Sequence, residues 1–238
     1  MELYLKKSRT VITTIILRDS MDLDANDFFP GALYVLAGGM GGGKTSEFIH
    51  LCHMAKGGHL KVQVFTPEKA YRKELHEKFG LGRNFYVSRT GARIESQEIP
   101  FGQHQLIPEL IDEDTNLFAL AELPMFGPEF GDELVEIVEE GRREGRSALV
   151  DGLDKDYLGR PFQSIAILMA LATNVKKRYG YCSETEKRCK RKGNYTQRFL
   201  PDGSPDLVIV PFDQVIKAGD MGLYEARCFE HCVFPKRE

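Results

Sequence analysis

Eight consecutive residues carry the strongest chemical signal in this chain. Gly38-Gly39-Met40-Gly41-Gly42-Gly43-Lys44-Thr45 satisfies the pattern G-x-x-x-x-G-K-[ST] at every fixed position. Glycines lack the Cβ that would keep the chain out of tight turns, so successive backbone N–H groups can turn inward around phosphate oxygens. A helix beginning at the end of the loop adds the positive end of its dipole. In this pattern Lys44 reaches the β- and γ-phosphates and the Thr45 hydroxyl holds Mg²⁺. The ligand expected is a nucleoside triphosphate.

Such a loop works only between a strand and a helix, and the flanking sequence supplies both. Residues 31–37 read as a buried strand and 45–55 as the helix that follows. Further strands are expected over 60–65, closed by Thr66-Pro67, over 116–121 and over 147–153. Residues 132–143 have helical spacing, with Leu134, Ile137 and Val138 on one face, and 164–173 read as another helix. Strands alternating with helices imply an α/β fold, a P-loop NTPase core whose mostly parallel sheet is covered on both faces. Before it, residues 1–30 form an extension with a β-branched run over 11–16 and an acidic, loop-like stretch over 19–27. After about residue 176 the composition turns basic and cysteine-bearing, then to short strands and turns. The chain is therefore divided into an extension (1–30), a nucleotide-binding domain (31–175) and a small C-terminal domain (176–238).

Composition narrows the function classes. A net charge of −3 argues against a general nucleic-acid binder, which usually carries a basic surplus. Lys187, Arg188, Lys190, Arg191 and Lys192 do form a basic stretch, but Glu184 and Glu186 precede it, and such runs are usually solvated faces. No apolar run approaches the ~20 residues needed to span a bilayer, and the N-terminus has no signal-peptide pattern. A cytoplasmic location follows as the expectation, where five cysteines read as thiols or metal ligands rather than disulfides. His50, His53 and His59 lack clean ligand spacing, and Cys52 reads as a core thiol.

Six segments, in order, resemble the thymidine kinases that join a P-loop core to a zinc-bearing lasso. They are the phosphate loop with its Met40; Val64-Phe65-Thr66-Pro67 with Arg72 beyond it; Val87-Ser88-Arg89-Thr90-Gly91; the run from Gly152-Leu153-Asp154 to Pro161-Phe162; Thr196-Gln197-Arg198-Phe199; and Tyr224-Glu225-Ala226-Arg227-Cys228-x-x-His231. The resemblance implies transfer of the γ-phosphoryl group of ATP to the 5′-hydroxyl of thymidine or deoxyuridine, with Mg²⁺ and a structural Zn²⁺. It further implies a homo-oligomer, a tetramer in the family. Glu122 keeps the position of the family's general base, Lys44 and Arg72 would steady phosphate charge, and Met40, Leu153, Tyr157, Phe162, Thr196 and Tyr224 would surround the base. The lasso, about residues 190–218, would order over the substrate and exclude water.

The sequence also departs from that family. The carboxylate that supports Mg²⁺ just before the general base is Ala121 here, the following Gln is Pro124, and the acidic residue two places before Arg72 is Ala70. Asp151, at the end of the strand over 147–153, is the expected replacement for the missing Mg²⁺ support, because ligands gather at the carboxyl ends of parallel strands. The zinc set implied is Cys182, Cys189, Cys228 and His231, a thiolate and imidazole group suited to tetrahedral zinc. Six residues separate its first pair, where the family has two, and Cys232 competes with His231 for the fourth position. Two further readings stay open: a kinase for another or modified nucleoside, and a nucleotide-binding protein without turnover.

Overall fold

The computed structural model describes residues 27–127, 131–184, 189–210 and 223–235. The expected strand over 11–16, the charged residues Glu186, Lys187 and Arg188, and residues 211–218 of the lasso lie outside them.

Six parallel strands form the central sheet, in the order β5-β2-β6-β7-β1-β8. They are β1 (Leu33–Ala37), β2 (Val62–Pro67), β5 (Gln97–Ile99), β6 (Leu117–Leu120), β7 (Ser147–Gly152) and β8 (Asn174–Lys177). A short hairpin, β3 (Phe85–Val87) with β4 (Arg93–Glu95), lies outside the sheet. The helices are α1 (Lys44–Gly57), α2 (Lys73–Phe79), α3 (Ile107–Leu110), α4 (Gly131–Arg143) and α5 (Gln163–Leu171).

Three central strands, β1, β6 and β7, are buried at every residue. That is why their sequences run apolar without alternation: helices cover both faces of a parallel sheet. Successive side chains still point to opposite faces. Leu33, Val35 and Ala37 join the cluster made with Leu134, Val138, Ile165 and Leu168 of α4 and α5, while Tyr34 and Leu36 join Phe48, Ile49 and Cys52 of α1. Helix α4 carries Asp132 and Glu133 in its first turn and Arg142 and Arg143 in its last, the charge order its dipole favours. Phe28, ahead of β1, packs on Tyr34 with ring centroids 5.0 Å apart.

Beyond Lys177 the chain makes two antiparallel pairs, β9 (Gly180–Tyr181) with β10 (Lys192–Gly193) and β11 (Tyr195–Arg198) with β12 (Tyr224–Arg227). These fold back on the phosphate loop. A Cβ at Gly38, where φ is +134°, would run into the carbonyl of Arg178, so only glycine fits there. Among the described residues no helix is long and apolar enough to cross a membrane.

Candidate functional site

The phosphate loop connects β1 to α1. Gly43, in the left-handed region at φ 77°, precedes the helix and contributes no side-chain cap, so the first-turn N–H groups are left for an anion. Lys44 is buried, and its Nζ donates to the Gly39 carbonyl at 2.9 Å. Burial lowers the pKa of this ammonium, while the carboxylates of Glu122, Asp151 and Asp154 pull it the other way. Strand ends from β6 and β7 therefore bring three acids around one lysine.

Glu122 follows β6 and has φ 49° and ψ 47°, a left-handed conformation rare outside glycine. Two hydrogen bonds hold it there. Its N–H donates to Asp151 Oδ1 at 2.6 Å, and its carbonyl accepts from Met125 N–H at 2.8 Å. Pro124, one position before Met125, packs against the next strand so closely that a Cβ on Gly152 would stand 2.7 Å from its Cδ. The Glu122 carboxylate is buried as well: Arg72 Nη2 reaches its Oε1 at 3.0 Å, and the Tyr86 hydroxyl donates to the same oxygen at 3.4 Å. The Tyr86 hydroxyl also lies 3.2 Å from Thr45 Oγ1. Burial first, then the charges of Asp151 and Glu122, push this phenol well above the usual tyrosine range.

Asp151 is fully buried on β7, level with Leu36 of β1. Desolvation, with the Glu122 charge second, raises its pKa to about 7, against the opposing pull of the Glu122 N–H, Lys44 and Arg72. Its Oδ1 is taken by the Glu122 amide, and its Oδ2 is buried with no hydrogen-bond partner. Five sequence-expected residues, Lys44, Thr45, Arg72, Glu122 and Asp151, thus meet at the carboxyl end of the sheet. Tyr86 joins them unforeseen. Its one sequence signal was adjacency to the Val87-Ser88-Arg89 segment, and a single aromatic in a short strand reads as core.

The residues expected around a base fall into two sets. Leu153, Tyr157, Phe162 and Tyr224 belong to one apolar cluster. Asp156 organises the loop that presents Tyr157 and Phe162: its Oδ1 accepts the N–H groups of Leu158 and Arg160 at 2.9 and 2.8 Å, and its Oδ2 the Arg160 Nε at 2.7 Å. Arg198, from β11, lies 3.6 Å over the Tyr157 ring and pairs with the buried Asp206 at 2.7 Å. The remaining two, Met40 and Thr196, are bonded to each other, Met40 N–H donating to Thr196 Oγ1 at 3.2 Å.

Cys182, Cys189, Cys228 and His231 present ligand atoms all within 4.8 Å of one another. Tetrahedral zinc with ~2.3 Å Zn–S and ~2.0 Å Zn–N bonds would set its sulfurs ~3.8 Å apart and each sulfur ~3.5 Å from the nitrogen. Cys189 and Cys228 sulfurs stand 3.9 Å apart, and those of Cys182 and Cys228 each lie 3.5 Å from His231 Nδ1. The six residues inside the first pair do not keep it from closing. Cys232 turns elsewhere: its Sγ donates to Gln197 Oε1 at 3.5 Å, and burial pushes its thiol up to about 11. All five cysteines are free, and Cys52 lies in the core.

Known proteins bear on this arrangement in two ways. The family model described as thymidine kinase matches residues 31–232. The chain is also 31% identical over 198 residues to a protein named thymidine kinase from Roseiflexus sp. (strain RS-1), an alignment covering 83% of this chain and 93% of that one.

Proposed function

The chain belongs to the thymidine kinase family, and from that premise we propose that it transfers the γ-phosphoryl group of ATP to the 5′-hydroxyl of thymidine or deoxyuridine. The observation that carries this reading is the buried Glu122 carboxylate, 3.0 Å from Arg72 and linked through Tyr86 to the phosphate-loop residue Thr45. Phosphoryl transfer asks a protein chiefly to position the reactants and neutralise charge. Arg72 and Tyr86 both contact Oε1 of Glu122. In this reading the second oxygen accepts the proton of the attacking hydroxyl. Lys44 and Arg72 answer the charge on the transferring group. Leu153, Tyr157, Phe162 and Tyr224, with Met40 and Thr196, would enclose a planar base in mainly apolar and aromatic surroundings.

The residues present suit both metals of this reading. Mg²⁺ prefers one or two carboxylates plus phosphate oxygens and waters, and when bound it would neutralise charge on the β- and γ-phosphates. Ala121 offers it nothing, whereas Asp151 Oδ2 is a buried carboxylate oxygen without a hydrogen-bond partner, on a residue close enough to Lys44 for their charges to interact. Asp151, with Thr45, is therefore the residue we assign to Mg²⁺ support. Cys182, Cys189, Cys228 and His231 would hold a structural zinc that fixes the base of the lasso and does no chemistry. Free thiols grouped for a metal fit a reducing cytoplasm. Homo-oligomeric assembly is the expectation the family supplies.

Mg²⁺-dependent transfer of labelled γ-phosphate to thymidine, deoxyuridine, deoxycytidine and purine deoxynucleosides tests the reading. Thymidine and deoxyuridine should be labelled, and Glu122→Gln should lose about 10²-fold or more of the rate. Labelling of another nucleoside alone would reassign the substrate. ATP binding without transfer to any nucleoside would sink the kinase reading.

A further inference from the structure

We propose that Tyr86 is a positioning residue that couples the Thr45 hydroxyl of the phosphate loop to the carboxylate of Glu122. The inference rests on the kinase reading for the role of Glu122, but its geometry stands apart from it. Tyr86 sits in β3, paired with Ile94 of β4, and its ring meets Phe48 of α1 edge-on at 5.7 Å and 87°. That packing aims the hydroxyl between Thr45 Oγ1 at 3.2 Å and Glu122 Oε1 at 3.4 Å.

Proton counting gives this chain of groups a direction. A carboxylate only accepts, so the single phenolic proton goes to Glu122. The Tyr86 oxygen is then the acceptor for Thr45, whose own proton is spent on that bond. Both lone pairs of Thr45 Oγ1 are left for a cation beside the phosphates. A metal at Thr45 and an oriented carboxylate at Glu122 are thus two ends of one hydrogen-bonded line. Both distances exceed the ~2.7 Å of a tight hydroxyl bond, as contacts do that close on substrate loading.

Tyr86→Phe removes the hydroxyl and keeps the ring against Phe48, so the fold survives the test. Two measurements on the full-length protein decide the matter. The first is a kinetic cycle with Glu122→Gln. Tyr86→Phe should lower kcat about tenfold, the order expected for a lost hydrogen bond to a charged group, with KM for thymidine within about twofold. In the Glu122→Gln background it should add almost nothing, because Tyr86 acts through that carboxylate. The second is calorimetric titration of ADP with Mg²⁺ and with EDTA. Affinity in EDTA should be unchanged by Tyr86→Phe, and the tightening given by Mg²⁺ should shrink about threefold or more. An equal loss of kcat in both backgrounds would reduce Tyr86 to a packing role, and an intact Mg²⁺ enhancement would break its link to Thr45. A wild-type protein that phosphorylates no nucleoside would sink the kinase reading instead, and the ADP titration would still decide for or against Tyr86.

Discussion

A carboxylate buried on a central strand is an expensive residue to keep, and Asp151 is such a group. Desolvation is the main reason its pKa rises from 3.8 to about 7, and one of its oxygens has no partner. A raised carboxyl pKa means that the folded state binds the proton more tightly than the unfolded chain. The associated stability is fully present below the unfolded value and is lost as pH rises through the folded one. Asp151→Asn keeps an oxygen for the Glu122 N–H and removes the buried charge. The ligand-free variant should therefore exceed wild type in stability at pH 8 by on the order of 2–4 kcal/mol, with the gap closing below about pH 4. Urea unfolding at both pH values measures this, and a variant less stable than wild type at pH 8 would contradict it. Kinase activity should fall even as stability rises, as expected of a residue retained for function. Lys44 was legible from its place in the phosphate-loop motif and Asp151 from its place at a strand end, while Glu122 was reached only through the family resemblance. Tyr86 was not legible, because nothing in a sequence says which way a core tyrosine aims its hydroxyl.

At the scale of elements, the strands and helices around the phosphate loop could be read from unbroken apolar runs and helical spacing. The edge strand β8 could not. Its Asn-Val-Lys-Lys is largely exposed, and a polar edge strand carries no burial pattern. Nor could the turn after β6, where Pro124 packs across Gly152. Gly152→Ala would drive a Cβ into the Pro124 ring and Ile165, and should cost about 1–3 kcal/mol in chemical denaturation. An unchanged midpoint would mean that this turn yields freely. The hairpins that carry the Cys/His cluster belong to this scale too. They lean on the phosphate loop: a Cβ on Gly39 would lie 3.3 Å from the Gly193 carbonyl, and one on Gly180 2.9 Å from that of Met40. Cys189→Ser should accordingly weaken ADP binding as well as thymidine binding, read by calorimetry. If ADP affinity stays unchanged, the C-terminal segment is an independent appendage.

At the scale of the whole molecule, the C-terminal segment braces itself with a buried ion pair and lays that pair against Tyr157 of the core. Arg198 and Asp206 meet at 2.7 Å, with the guanidinium over the Tyr157 ring, and Val208 beyond them accepts the Tyr157 hydroxyl through its carbonyl. Removing one partner leaves the other charge buried and unpaired, which typically costs about 3–5 kcal/mol. Asp206→Asn should therefore loosen the segment that carries Thr196 and Tyr224, raising KM for thymidine about tenfold or more and KM for ATP by less. Equal KM changes would point to a general loss of folding.

The bond from Met40 N–H to Thr196 Oγ1 joins the loop that would hold ATP to the strand that would hold the nucleoside. Two ligands sharing one such brace cannot bind independently. By thermodynamic reciprocity, whatever factor ATP adds to nucleoside affinity, the nucleoside returns to ATP. A cell's supply of one substrate would thereby set the protein's affinity for the other.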